Sequence, residues 1–194
     1  PLHHHGEIPR LPLNSHIMTR LFSALLISPE AHEHLVHALR PIRENNPRDL
    51  RWTDPDNWHI TLSFHGLMPN DHTDLLDHLA QAAASSGPLD LHLHGAGSFG
   101  HRTLWMGVGG DTARLKALMA DAAYDPENPP PPQKPHLTIA RTQERWLVGD
   151  LVHALLVYEG PRFVCDELVL VESKLGEGRS GGPRYEILER VRLG

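Results

Sequence analysis

A His and a Thr two residues apart, inside an alternating apolar run, occur twice in this chain: Trp-His-Ile-Thr-Leu-Ser-Phe-His-Gly at 58–66 and Pro-His-Leu-Thr-Ile-Ala-Arg at 135–141. Alternation at period two is the pattern of a half-buried strand, and on a strand residues i and i+2 share a face. His59 and Thr61 therefore point one way while Ile60, Leu62 and Phe64 point into a core. His136 and Thr138 do the same against Leu137 and Ile139. Brought side by side, the two strands set two imidazoles and two hydroxyls across one cleft.

The surroundings of the two stretches also match. The segment 19–28 reads as a largely buried strand, and Ser28-Pro29-Glu30 opens a helix expected to run to about Arg40, ahead of Pro41. After the first motif, Leu75, Leu76, Leu79, Ala82 and Ala83 mark an amphipathic helix within 71–85. A strand over 89–97 follows, with His92 and His94 opposite its leucines. A second round begins with a strand over 104–108 and a helix capped by Asp111 that presents Leu115, Leu118, Met119 and Ala122. Between that helix and the second motif, residues 125–135 hold six prolines, a composition that favours an extended polyproline conformation. The second motif strand, a helix over 144–157, one strand over 163–171, a Gly-rich loop at 176–182 and a strand over 184–191 complete the chain. Each half thus runs strand, helix, His/Thr strand, helix, strand. The expected class is α+β, with two pseudo-symmetric lobes, each an antiparallel sheet with helices on its outer face, meeting at a central cleft.

The first seventeen residues carry His3-His4-His5 and a connector, and Met18 opens a strand-like sequence, so 1–17 reads as an expression tag and 18–194 as a single domain of two duplicated lobes. A net charge of −6 suits neither a broad phosphate-tracking face nor wrapped nucleic acid; a nucleic-acid substrate would be gripped at an end or as a short piece. The single cysteine, Cys165, excludes an internal disulfide framework and fits a reducing compartment. No apolar run approaches the roughly 20 residues needed to span a bilayer, and the expectation is a soluble, cytoplasmic protein without a membrane partner.

With both motifs, their flanks and the duplication in hand, the chain resembles the 2H phosphoesterases, and within them the bacterial RNA 2′,3′-cyclic phosphodiesterases, also called 2′-5′ RNA ligases. The resemblance runs from Arg20-Leu21-Phe22 to the end. It takes in Arg51-Trp52, Asn57-Trp58-His59, Phe64-His65-Gly66, residues 135–141, Glu172-Ser173-Lys174-Leu175 and Gly182-Pro183-Arg184-Tyr185. It implies hydrolysis of an RNA or nucleotide 2′,3′-cyclic phosphate to a 2′-phosphate, with His59 as proton donor to the leaving 3′ oxygen and His136 as the acceptor that activates water. Thr61, Thr138 and Arg141 would hold the phosphate, with neither metal nor other cofactor. Run backwards with a 5′-hydroxyl, the same chemistry makes a 2′-5′ linkage. The implied partners are RNA 3′ ends or nucleotides bearing the cyclic phosphate, with no obligatory protein partner and a monomeric state.

The residues themselves leave several choices open. The near-symmetry of the two motifs does not say which His is the acid. Strict alternation would turn Arg141 away from His136, so its phosphate role requires the strand to end or bulge there. His32 with His34, or His92 with His94, can be imagined as metal ligands, but no carboxylate or Cys cluster at ligand spacing accompanies them, and a solvent-facing surface is their expected place. His65 fits either the cleft rim or the packing of a turn. Trp52, Phe22, Phe64 and Tyr185 are candidates for base stacking as well as for core packing. The loop at 176–182, with Arg179 and Arg184, lacks the Gly-Lys-Ser/Thr ending of a phosphate-cradling loop. The same cleft would also serve a cyclic phosphate of ADP-ribose or a 2′-5′ oligoadenylate, and a non-catalytic RNA-end binder is the alternative from another class.

Overall fold

In the computed structural model, residues 18–45, 50–125 and 134–194 are described. The N-terminal 1–17 segment and most of the proline-rich stretch lie outside the described residues. The chain runs β1 (Met18–Leu25), α1 (Pro29–Asn45), β2 (Arg51–Trp52), a short 3₁₀ turn (Pro55–Asn57), β3 (Ile60–Pro69), α2 (Thr73–Ser86), β4 (Leu89–Phe99), β5 (Thr103–Gly110), α3 (Thr112–Ala122), β6 (His136–Arg141), α4 (Arg145–Leu155), β7 (Phe163–Cys165), β8 (Glu167–Lys174), a second 3₁₀ turn (Arg179–Gly181) and β9 (Arg184–Arg192). Ser28 caps α1 by accepting from the Ala31 N–H at 3.1 Å, with Pro29 in the first helical position. The helix does not stop at Arg40. It continues through Pro41, because Ile42 on the next turn still packs against the core and outweighs the one backbone bond the proline removes.

All strands belong to one antiparallel sheet in the order β7-β4-β5-β6-β3-β1-β8-β9, with β2 paired to β6. Among the described residues its two halves meet at a single residue pair, Ile60 with Leu137. Both side chains are completely buried, so this joint is also part of the core. The registers on either side of the joint repeat. Leu25 pairs with Ile60 and Ala24 with Thr61, as Met106 pairs with Leu137 and Trp105 with Thr138. The expected α+β class and pseudo-symmetric lobes are what the chain adopts.

Two details differ from the sequence expectation. The strand expected over 163–171 is two strands at opposite ends of the sheet. β7 pairs with β4 and β8 lies between β1 and β9, with only Asp166 between them. Cα atoms two residues apart are at most about 7 Å from each other, so the sheet must curl until its ends nearly touch. The lobes are also not the sequence halves. β4, the third strand of the first half, pairs with β5 of the second, while β8 returns to β1. This exchange fastens each half to the other, and one apolar cluster drawing on all four helices runs across the joint.

Candidate active site

Since Ile60 and Leu137 point into the core, their neighbours His59, Thr61, His136 and Thr138 project from the other face of the sheet, on both sides of the joint. All four line one cleft of about 470 Å³. His136 is near enough that its positive charge, when protonated, disfavours the imidazolium form of His59. Thr61 is buried, and its hydroxyl lies 2.9 Å from His59 Nε2.

Both rings are oriented in the same way. His59 Nδ1–H donates to the Asn57 carbonyl at 2.8 Å and His136 Nδ1–H to the Lys134 carbonyl at 2.8 Å, each two residues earlier in the chain. A carbonyl can only accept, so Nδ1 keeps its hydrogen and Nε2 is the nitrogen left to exchange a proton. Burial lowers the pKa of each ring from its ordinary value. The carbonyl contacts oppose this, and the positive charge of Arg141 adds to it at both rings. An anion entering the cleft would act in the other direction, favouring the imidazolium.

Arg141 lines the cleft although strict alternation points it away. The cause is a β-bulge. Leu104 pairs with Ala140 and Trp105 with Thr138, so Ile139 is an extra residue without an opposite number, and every side chain after it changes face. The same bulge occurs at Leu62, between the pairs Ser23 with Ser63 and Ala24 with Thr61. It corrects one expectation. Phe64 does not enter the core; it is 68% exposed and lines the cleft. Phe64 is therefore the pseudo-symmetric counterpart of Arg141, and the two halves of the cleft differ where one carries a cation and the other an aromatic ring.

Of the other aromatic candidates, Tyr185 lines the cleft and meets His59 edge-on at 5.4 Å, and Phe22 packs buried behind His59 at 4.8 Å. Trp52 is packed on the core beneath Arg43 and does not line the cleft. Phe99, Thr53, Thr103 and Lys134 line it without having been singled out in the sequence. Phe99 approaches His136 edge-on at 4.8 Å. The signal for Lys134 was its place two residues before the second motif His, matching Asn57 before the first. Arg179 lies 3.9 Å from both Asp54 and Asp56, and the Asn57 side chain donates to the Pro183 carbonyl at 3.0 Å, so the Gly-rich loop is tied to the turn that precedes His59. His65 lies in β3 at a second bulge, between the pairs Leu21 with Gly66 and Phe22 with Phe64: its Nε2 lies 3.1 Å from Ser23 Oγ, and burial, with His78 nearby, pushes its pKa down to about 4.

Among the described residues lining the cleft there is no carboxylate and no cysteine, and its charged groups are Lys134 and Arg141. Such a lining receives an anion and gives a divalent metal no acidic ligand. Two imidazoles whose Nε2 atoms face the cleft, two hydroxyls and a guanidinium around one space are suited to acid–base chemistry on a phosphoryl group.

Residues 28–177 match the family model described as the 2′-5′ RNA ligase superfamily. A Geobacillus stearothermophilus protein named RNA 2′,3′-cyclic phosphodiesterase is 36% identical over 104 residues, 46% of this chain and 32% of that protein, so the match spans about a third of that relative's length. An Aquifex aeolicus (strain VF5) protein of the same name is 26% identical over 161 residues, 74% of this chain and 82% of that one. Among solved structures, TT0787 of Thermus thermophilus superposes with a TM-score of 0.66 at 25% identity, covering 90% of this chain and 97% of that one. Escherichia coli LigT in its apo form gives a TM-score of 0.63 at 25% identity, covering 91% of this chain and 98% of that one.

Proposed function

The chain belongs to the 2′-5′ RNA ligase superfamily, and from that premise we propose that it opens the 2′,3′-cyclic phosphate of RNA 3′ ends or nucleotides by metal-independent acid–base catalysis. The observation that carries the proposal is the shared cleft of His59 and His136, with Nδ1 of each ring tied to a carbonyl and Nε2 left for proton exchange. Two relatives named RNA 2′,3′-cyclic phosphodiesterase support the choice of substrate.

A 2′,3′-cyclic phosphate is a diester held in a five-membered ring. Its opening by water needs a base for the water proton, an acid for the departing oxygen, and donors for the charge that gathers on the non-bridging oxygens. In the proposed mechanism His136 Nε2 takes the proton of the attacking water and His59 Nε2–H gives its proton to the leaving 3′ oxygen. The phosphorus gains one P–O bond and loses another, and a 2′-phosphate remains. Thr61, Thr138 and Arg141 hold the non-bridging oxygens. The substrate anion itself favours the charged form of His59, against the burial that lowers the pKa of that imidazole. With an RNA 5′-hydroxyl attacking in place of water and the 3′ oxygen again leaving, the same steps on a 2′,3′-cyclic end give a 2′-5′ linkage without ATP.

The test is incubation with 2′,3′-cyclic AMP in EDTA, followed by ³¹P NMR. The expected product is adenosine 2′-phosphate, formed at the same rate with and without chelator. A 3′-phosphate product would reverse the placing of acid and base, activity lost in EDTA and restored by a divalent ion would overturn the metal-free mechanism, and binding without turnover would reduce the protein to an RNA-end binder.

A further inference from the structure

Asp90 stands two residues before His92 in the sequence, and the fold brings a second carboxylate, Glu159, beside His92 and His94. Residues 158–160 run along β4: Gly95 N–H donates to the Tyr158 carbonyl at 2.8 Å, Gly160 N–H donates to the Leu93 carbonyl at 2.9 Å, and His94 is bridged to Glu159. One ligand atom from each of His92, His94 and Glu159 lies within 4.8 Å of the others. The His92 ring occupies the space left by Gly109 on β5, where an added Cβ would come within 2.7 Å of it. His92 is thereby held in place, and its side chain is only 16% exposed. Among the described residues its buried Nδ1 has no partner, and its Nε2 is 3.8 Å from a Glu159 oxygen, beyond hydrogen-bonding reach. Neither neutral tautomer is satisfied by the protein around it.

We propose that His92, His94 and Glu159 form a binding site for a divalent transition metal of the zinc class, separate from the catalytic cleft. Two imidazoles and one carboxylate are borderline donors that suit Zn²⁺, Ni²⁺, Co²⁺ or Cu²⁺ rather than Mg²⁺ or Ca²⁺. Zinc bonds of about 2.0–2.2 Å in a tetrahedron set ligand atoms roughly 3.4 Å apart. The cluster must therefore close by about an ångström, which rotation of the exposed His94 and Glu159 side chains supplies while His92 stays fixed. Water would complete the coordination on the open side. The site shares the sheet face of the cleft, because His92 pairs with Gly109, two residues beyond the Gly107 that pairs with His136. None of its three residues lines the cleft.

The test is a Zn²⁺ titration of the metal-stripped full chain against a chromophoric chelator, with Co²⁺ absorption as a second readout. Wild type, His94→Ala and Glu159→Gln are compared. All three keep His3, His4 and His5, so binding by that run is common to them. Wild type is expected to hold one more equivalent than either variant, or to hold it at least about tenfold more tightly. It should also melt at a higher temperature with Zn²⁺, a shift the variants lack. Both substituted side chains are exposed, and equal melting of the three proteins without metal verifies the fold. Titrations and Co²⁺ spectra that do not distinguish wild type from the variants would overturn the proposal.

Discussion

Replacing Arg141 by Met removes a charge that lowers the pKa of both imidazoles and that, in the proposed mechanism, also holds the phosphate. A guanidinium about 4 Å from a phosphoryl oxygen is worth about 4 kcal/mol at an effective dielectric of 20 and about 1 kcal/mol in bulk water. Arg141 is exposed at the cleft, so a value of roughly 2 kcal/mol is appropriate, a fall of about 30-fold in kcat/KM. Little of that fall should come from unfolding, because Arg141 makes no ion pair among the described residues, and surface changes of this kind stay within about 0.5 kcal/mol. The pH profile gives an independent readout. Burial is the largest cause of the lowered pKa at both rings, and Arg141 lowers them further. Loss of its positive charge raises both values, so the bell-shaped profile of kcat/KM, which reports the free enzyme, should move to higher pH. The assay is initial-rate hydrolysis of 2′,3′-cyclic AMP across pH 4–9 for wild type, Arg141→Met and Arg141→Lys, with the lysine variant keeping its profile near that of wild type. An unchanged kcat/KM in Arg141→Met, or a profile that stays in place or moves to acid, would refute the reasoning.

Other consequences are open to simpler measurements. His59→Ala and His136→Ala should each lower turnover by at least about 100-fold while leaving the circular-dichroism melt near that of wild type; a folded double variant with normal turnover would remove both from the chemistry. Leu137→Ala, at the single pair that joins the halves, should cost about 2–5 kcal/mol in urea unfolding, and a loss under 1 kcal/mol would mean that the joint is not held by its packing. His65, pushed down to about 4 mainly by burial, binds its proton more readily when unfolded. Its contribution is therefore present above about pH 6.5 and lost as pH falls toward 4, roughly 3 kcal/mol in all. His65→Gln should flatten that part of the stability curve, and an identical acid transition in the two proteins would contradict this.

What the sequence made legible was the part set by period-two alternation and by repetition. The His/Thr pairs, the strands that carry them and the order of elements in each half follow from residues near one another in the chain. What it did not show depends on pairing between distant strands. The bulges at Leu62 and Ile139 follow from how β3 and β6 register with β1 and β5, and nothing in the alternation of side chains marks them. They turn Phe64 and Arg141 into the cleft against the simple pattern. The separation of β7 from β8 at Asp166 is marked in the sequence only by Asp166-Glu167 between two apolar stretches, and such a polar pair looks the same whether one sheet edge or two accept the segment. Glu159 could not be grouped with His92 and His94, since about 65 residues of chain intervene and a backbone bridge makes the contact. Pro41 was overrated as a stop because the burial of Ile42 one residue later is a tertiary effect.

The convergence of two imidazoles on one phosphorus is tested most directly by a crystal structure of the protein with adenosine 2′-phosphate bound. The expected result is Nε2 of His59 and Nε2 of His136 each within about 3 Å of an oxygen on the same phosphoryl group or on the ribose carbon 3 hydroxyl. A product held by only one of the two rings, or bound outside the cleft between them, would contradict it.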